Sequence, residues 1–301
     1  MSGRFAVEFR DMIRLARPSD VEVRIITSTQ CDGFVRELIA YPSDDDREIP
    51  AFRFMPSAAK PMGGVVAFHQ HNGEFHLGKS EVAGLAGSPL QAFGPALARS
   101  GLVVIAPDAE TFEDRRAQTR GIEPHHNDWQ QHYNGMAYRL LRGDLIMRKH
   151  LDDAQRAVSA LSTSPGVDRS KIGISGHSFG GTLALYLGAV DDRCRFVCSS
   201  GAAGSLANRQ ASGTGIGMLE VIPGLANRWE MADVVRAIPP RRLLVVSATD
   251  DEYSADADHV LEQAGQVNAM DHVRVSGGHT LDSLRFEAIV SWFVAQATAA
   301  A

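Results

Sequence analysis

The stretch from Lys171 to Val190, KIGISGHSFGGTLALYLGAV, decides how this sequence of 301 residues is read. It passes from an apolar, β-prone run through Gly176-His177-Ser178-Phe179-Gly180 into a series of good helix formers. Glycines on either side of Ser178 suit a strand that turns sharply into a helix. The serine there takes a strained backbone conformation, and Cβ atoms beside it would strike neighbouring chain. Such a turn lifts the hydroxyl to the carboxyl edge of a sheet, at the N-terminus of a helix whose dipole favours developing negative charge. Ser178 is therefore the candidate nucleophile.

Outward from this turn the pattern is regular. GVVAF from Gly64, GLVVIAP from Gly101, RFVCSS from Arg195 and LLVVSA from Leu243 are continuous apolar runs, as expected of strands covered on both faces. Helix-length segments lie between most of them. One begins with Ser88 as N-cap and Pro89 as N1, and another carries Leu151, Ala154, Ala157, Val158 and Leu161 at helical spacing. Before Gly64, the runs Val21 to Ile26, Gly33 to Tyr41 and Ile49 to Pro56 are separated by Asp, Gly and Pro, and predict an antiparallel entry to the sheet. The expectation is one α/β domain over 1–301: a mostly parallel central sheet with antiparallel N-terminal strands and helices on both faces, after a helical extension over 1–20. The segments 111–145, polar and rich in His and Arg, and 202–229, rich in Gly and Ser, break the rhythm and are expected to be loops or small caps over a site.

A serine nucleophile needs a base and an acid downstream. HVRVSGGHTLD ends a strand in a glycine turn at His279, the candidate base, because imidazole titrates near neutral pH. PPRRLLVVSATDDEYS runs a buried strand into two aspartates. Spacing from the strand end favours Asp250 as the acid that holds the histidine tautomer, with Asp251 as the alternative. The oxyanion needs two backbone N–H donors, expected from Phe179 and from His71 in the loop FHQHNGEFHLGKSEVAGL. His69, His71 and His76 in that loop could be read as a metal cluster, but a serine triad needs no metal, and none is expected. Trp129, Tyr133, Met218, Leu219 and Trp229 are the candidate apolar walls of a substrate pocket. Arg115, Arg116 and Arg120 read either as a charged surface run or as partners for a substrate carboxylate. His125, His126 and His132 read as an exposed polar loop or as a cap facing the substrate.

Composition narrows the field of partners. A formal charge of -6 and a pI near 6.0, with no basic face, argue against nucleic acid. Cys31, Cys194 and Cys198 are odd in number and lack metal spacing, so they are expected reduced and buried. The opening residues mix charges through apolar ones without the uninterrupted stretch of a secretory signal, and no run is long enough to span a bilayer. These features predict a cytoplasmic protein with no membrane partner. A homodimer is the expected assembly.

Several of these stretches together, from HQHNGEFHLGKSEVAGL through GLVVIAPDAETFEDRR and GDLIMRKHLDDAQRAVSALSTSPGVDRSKIGISGHSFGG to IPPRRLLVV, resemble the dienelactone-hydrolase-like and acetyl-xylan-esterase-like branch of the α/β-hydrolases over roughly Val65 to Trp292. The resemblance implies the α/β-hydrolase fold, a Ser178, His279 and Asp250 or Asp251 triad, and cleavage of a carboxylic ester or lactone through an acyl-enzyme without a cofactor. Two departures stand out. His-Gln-His replaces the usual His-Gly of the oxyanion loop, and serine stands where dienelactone hydrolases proper carry cysteine. An amidase or peptidase with the same triad is the competing enzyme reading, a non-catalytic ligand-binding homologue the reading from another class, and a haloperoxidase-like or acyltransferase role shares what is left.

Overall fold

The computed structural model describes residues 2–17, 19–45, 47–57, 63–265 and 267–298. Among the described residues, nine strands form a single sheet in the order β1-β2-β3-β5-β4-β6-β7-β8-β9. They are β1 (Arg24–Cys31), β2 (Phe34–Pro42), β3 (Glu48–Pro56), β4 (Gly64–Phe68), β5 (Val103–Pro107), β6 (Ile172–His177), β7 (Phe196–Ser200), β8 (Arg242–Ala248) and β9 (Met270–Val275). The first three and β5 pair antiparallel, and from β5 through β4 to β9 every pairing is parallel. This is the expected mostly parallel sheet with an antiparallel entry. The first strand starts later than Val21 and runs through the polar TSTQC, because it is an exposed edge strand with no face to bury.

The helices are α1 (Ser2–Ile13), α2 (Lys79–Val82), α3 (Phe93–Arg99), α4 (Asp128–Leu141), α5 (Ile146–Ser162), α6 (Phe179–Val190), α7 (Leu206–Ser212), α8 (Met231–Arg236), α9 (Ala257–Ala264) and α10 (Ser283–Thr298). Successive strand residues point to opposite faces, so each apolar run feeds two cores at once. Val66, Phe68, Val103, Ile105, Leu243 and Val245 pack beneath α1, α5, α6 and α8. Their neighbours Val65, Ala67, Val104, Ala106, Leu244 and Val246 pack beneath α3 and α10. Ser88 does accept from the Leu90 N–H as an N-cap, but of a short 3₁₀ turn over Pro89–Gln91, and α3 itself begins at Phe93. Within 111–145, expected as loop or cap, fourteen residues form α4; 202–229 holds α7 and two 3₁₀ turns. Cys194 and Cys198 are buried and Cys31 is half-buried, all as free thiols. Among the described residues, no helix is long and apolar enough to cross a membrane.

The chain order puts β5 on one side of β4 and β6 on the other. The loops leaving the carboxyl ends of β4 and β6 therefore diverge and open a crevice, the place where ligands bind in sheets of this kind. Ser178 and the 69–78 loop both start there, because Phe68 pairs with Gly176.

Candidate active site

Ser178 has φ 55° and ψ −123°, the strained turn implied by its glycine neighbours. A Cβ on Gly176 would lie 2.3 Å from the Gly180 carbonyl carbon, and one on Gly180 would lie 2.7 Å from the Phe68 oxygen. Both clashes are with main chain, which cannot swing aside. The turn is held by the Ser178 N–H donating to the Ser200 oxygen at 2.8 Å and by the Thr182 N–H donating back to the Ser178 oxygen at 3.0 Å.

The Ser178 hydroxyl lies 2.8 Å from Nε2 of His279, and Nδ1 of the same ring lies 2.8 Å from Oδ1 of Asp251. Asp251, not the favoured Asp250, is therefore the aspartate on the histidine. The reason is the path of the chain after β8. Asp250 still belongs to the ladder: its N–H donates to the Gly277 oxygen, and its exposed carboxylate accepts from the Thr249 hydroxyl. At Asp251 the chain turns, and its side chain points inward with no exposed area. There Oδ1 also accepts from the Tyr253 N–H at 3.0 Å, and Oδ2 from the Ser254 hydroxyl at 2.7 Å. Burial pushes the Asp251 carboxyl up, but the hydrogen bond and charge of His279, with those two donors, bring it below its ordinary range. The carboxylate is thus held ionised against the ring it orients.

His177, fully buried before the serine, packs its ring 4.9 Å from that of His279 and meets the Ser200 hydroxyl through Nδ1 at 3.0 Å. Burial lowers it to about 3, so it stays neutral beside His279.

Three of the loop histidines have structural partners. His69 has Nδ1 at 2.8 Å from the Gln70 oxygen, while Nε2 accepts from the Ala109 N–H at 3.1 Å. Both its nitrogens are occupied, and burial lowers it to about 4. His71 accepts from the Gly73 N–H through Nδ1 and packs edge-on against Phe75 and Phe112. His132, from α4, stacks on Phe75 at 4.3 Å and meets the Thr111 hydroxyl at 2.6 Å. It is buried, whereas His126 is exposed and His125 half-buried. Among the described residues, the groups with metal-ligand spacing are carboxylates instead. One of them, Asp108, Glu113 and Asp114, surrounds the buried Lys79 ammonium at 2.8, 2.5 and 2.6 Å. The other includes Asp44 and Asp153, which take the Lys149 ammonium at 2.5 and 2.7 Å. Lysine already supplies the cation in each.

A cleft of about 440 Å³ opens on Ser178 and His279 and is lined by His71, Phe179, Thr182, Arg209, Glu220 and Tyr253, among others. Phe179 supplies the first N–H of α6, and the His71 N–H has no hydrogen-bond partner among the described residues.

The dienelactone hydrolase family matches residues 50–199. Among solved structures, two esterases share the architecture over nearly the whole chain. The acetyl xylan esterase from Paenibacillus sp. R4 has a TM-score of 0.66 at 16% identity, covering 97% of this chain and 93% of that one. The glucuronoyl esterase from Solibacter usitatus has a TM-score of 0.65 at 16% identity, covering 99% and 94%. The chain has the α/β-hydrolase fold, and its residues 50–199 match the dienelactone hydrolase family. By sequence it is also 25% identical over 277 residues to "Putative hydrolase YtaP" of Bacillus subtilis, spanning 87% of this chain and 88% of that protein.

In this α/β-hydrolase the wall of the cleft differs from the sequence expectation. Of the five expected wall residues Leu219 lines it, and Trp129, Tyr133, Met218 and Trp229 do not. Trp129 and Tyr133, one turn apart on α4, stack on each other on the exposed face of the helix. Met218 points to solvent while its neighbours Gly217 and Leu219 face the cleft. Trp229 packs edge-on against Phe5 of α1 at 5.2 Å and lines a separate groove. Arg115 and Arg116 are buried rather than on the surface, paired with Asp153 and Asp128 at 2.7 Å each, and only Arg120 is exposed. Thr182 could have been found from sequence, since it follows Ser178 by four residues on one helix face. Arg209 and Glu220 have no local signal; they reach the cleft only through the fold.

Proposed function

We propose that this chain is a serine hydrolase that cleaves a carboxylic ester or lactone through an acyl-enzyme. The observation that carries the reading is the continuous hydrogen-bonded chain from Ser178 through His279 to the buried Asp251 at an open cleft. In this reading His279 Nε2 takes the Ser178 proton as Oγ attacks the carbonyl carbon. Asp251 keeps the proton of the imidazole on Nδ1 and stabilises the imidazolium that forms. The N–H groups of Phe179 and His71 receive the oxyanion, aided by the positive end of α6. Collapse expels the alcohol, protonated by His279, and leaves Ser178 acylated. Water, activated by the same histidine, then releases the acid.

Carboxylic esters fit the reading because a good leaving group needs only one proton from His279, and because the fold relatives are named as esterases. The test is labelling with a fluorophosphonate, location of the adduct by mass spectrometry, and turnover of short acyl esters, lactones and matched anilides. The expected result is a single adduct on Ser178, turnover of esters or lactones well above anilides, and loss of roughly four or more orders of magnitude in Ser178→Ala. Full turnover by Ser178→Ala removes the reading. Faster cleavage of anilides replaces it with an amidase.

A further inference from the structure

The cleft contains one guanidinium, and its surroundings say which substrates it would refuse. Arg209, on α7, is 3% exposed. Its Nη2 donates to the carbonyl oxygens of Ala202 and Tyr253, both at 3.2 Å, and Nη1 faces Glu220 Oε2 at 3.4 Å. Its Nε is enclosed without a partner among the described residues, and the guanidinium lies 5.5 Å from the centre of the Tyr253 ring. A free guanidinium would offer a carboxylate two parallel N–H donors. Here Nε is sealed off, Nη2 serves main chain, and Nη1 faces a carboxylate of the protein's own.

Glu220 is the other half of the arrangement. Its side chain keeps 15% of its surface open, and Oε1 accepts from the Thr182 hydroxyl at 2.8 Å. Thr182 stands one helical turn beyond Ser178, so the bond holds the Glu220 carboxylate roughly 6–8 Å from the nucleophile. Each carboxylate oxygen has lone-pair capacity left after its one partner. The charged groups facing the cleft are therefore Arg209 and Glu220, which offset each other, with Asp251 behind His279 adding a further negative charge.

We infer that Glu220 determines specificity, selecting esters whose flanking group is uncharged or carries hydroxyl donors and rejecting those that carry a carboxylate. The inference rests on the hydrolase reading above. A substrate carboxylate would meet Glu220 before it found a free donor on Arg209. A hydroxyl would instead donate to Glu220 beside Thr182.

The test compares kcat/KM for para-nitrophenyl hexanoate, its omega-hydroxy counterpart and the hemiadipate, which differ only at the chain end. The hemiadipate is expected about six- to tenfold below the hexanoate, with the hydroxy ester equal to or above it. Two like charges roughly 6–8 Å apart in the cleft are worth about six- to tenfold at an effective dielectric of about 40. Glu220→Gln should raise the ratio of hemiadipate to hexanoate by about the same factor, and Glu220→Asp should keep it low. Because the readout is a ratio, a general loss of activity in a variant cancels. Equal or better turnover of the hemiadipate by the unaltered enzyme overturns the inference, whether or not any variant folds, and so does a ratio unmoved by Glu220→Gln. Absence of hexanoate turnover removes the hydrolase reading and this inference with it; hexanoate turnover without discrimination removes this inference alone.

Discussion

Replacing Asp251 by asparagine separates the roles of two adjacent carboxylates that differ sharply in surroundings. Asp251 is buried and accepts from the His279 ring, the Tyr253 N–H and the Ser254 hydroxyl, while the Asp250 carboxylate is exposed and accepts from the Thr249 hydroxyl. An asparagine at 251 keeps the shape but presents an amide whose NH₂ can donate to Nδ1. That would place the imidazole proton on Nε2, where it can no longer accept from Ser178. Loss of the correct tautomer costs on the order of ten-thousandfold in kcat, or about 5.4 kcal/mol of barrier at 1.36 kcal/mol per decade. The amide also has one acceptor oxygen in place of two, leaving a buried donor unmet at about 1–3 kcal/mol of stability. The two effects are read separately: kcat and kcat/KM with a short para-nitrophenyl ester, and the unfolding free energy from urea titration followed by circular dichroism. Asp250→Asn is expected within about twofold of the unaltered protein in kcat and within about 0.5 kcal/mol in stability. If Asp250→Asn loses as much activity as Asp251→Asn, or Asp251→Asn stays within tenfold of the original, the assignment of the acid is wrong.

Two further outcomes probe regions outside the triad. Trp229→Ala should lower stability by about 2–3 kcal/mol, because the indole is half-buried against Phe5 and Phe9, while kcat/KM on small esters stays within about twofold; a loss of turnover without a loss of stability would return Trp229 to the site. Burial holds His132 at about 3 against its ordinary 6.5, so between pH 7 and pH 5 the unfolded chain takes up a proton that the folded one refuses. Stability present at pH 7 therefore declines on acidification, by about 1–2 kcal/mol from this side chain alone. In His132→Phe the drop in Tm from pH 7 to pH 5 should be smaller than in the unaltered protein, and parallel curves for the two would count against the linkage.

What could be read without coordinates was whatever is local in the chain. The continuous apolar runs at Gly64, Val103, Ile172, Phe196 and Leu243 state that both sheet faces are covered, and the glycines around Ser178 state that a strand turns sharply into a helix. His279 is legible for the same reason, as an imidazole just past a strand. Between Asp250 and Asp251 the local pattern could not decide. The choice depends on the residue at which the chain leaves the β9 ladder, and a single-residue difference there exchanges a solvent-facing carboxylate for a buried one. Trp129, Tyr133, Met218 and Trp229 were reasonable pocket residues by type, yet their directions are set by helix faces and by α1 packing on α8, more than two hundred residues apart in sequence. Arg115 and Arg116 look like a surface run until Asp153 and Asp128 are brought against them. Arg209 and Glu220 show the same limit from the other side: a part-buried ion pair forms only where the fold brings the two groups together, and no spacing along the chain records that.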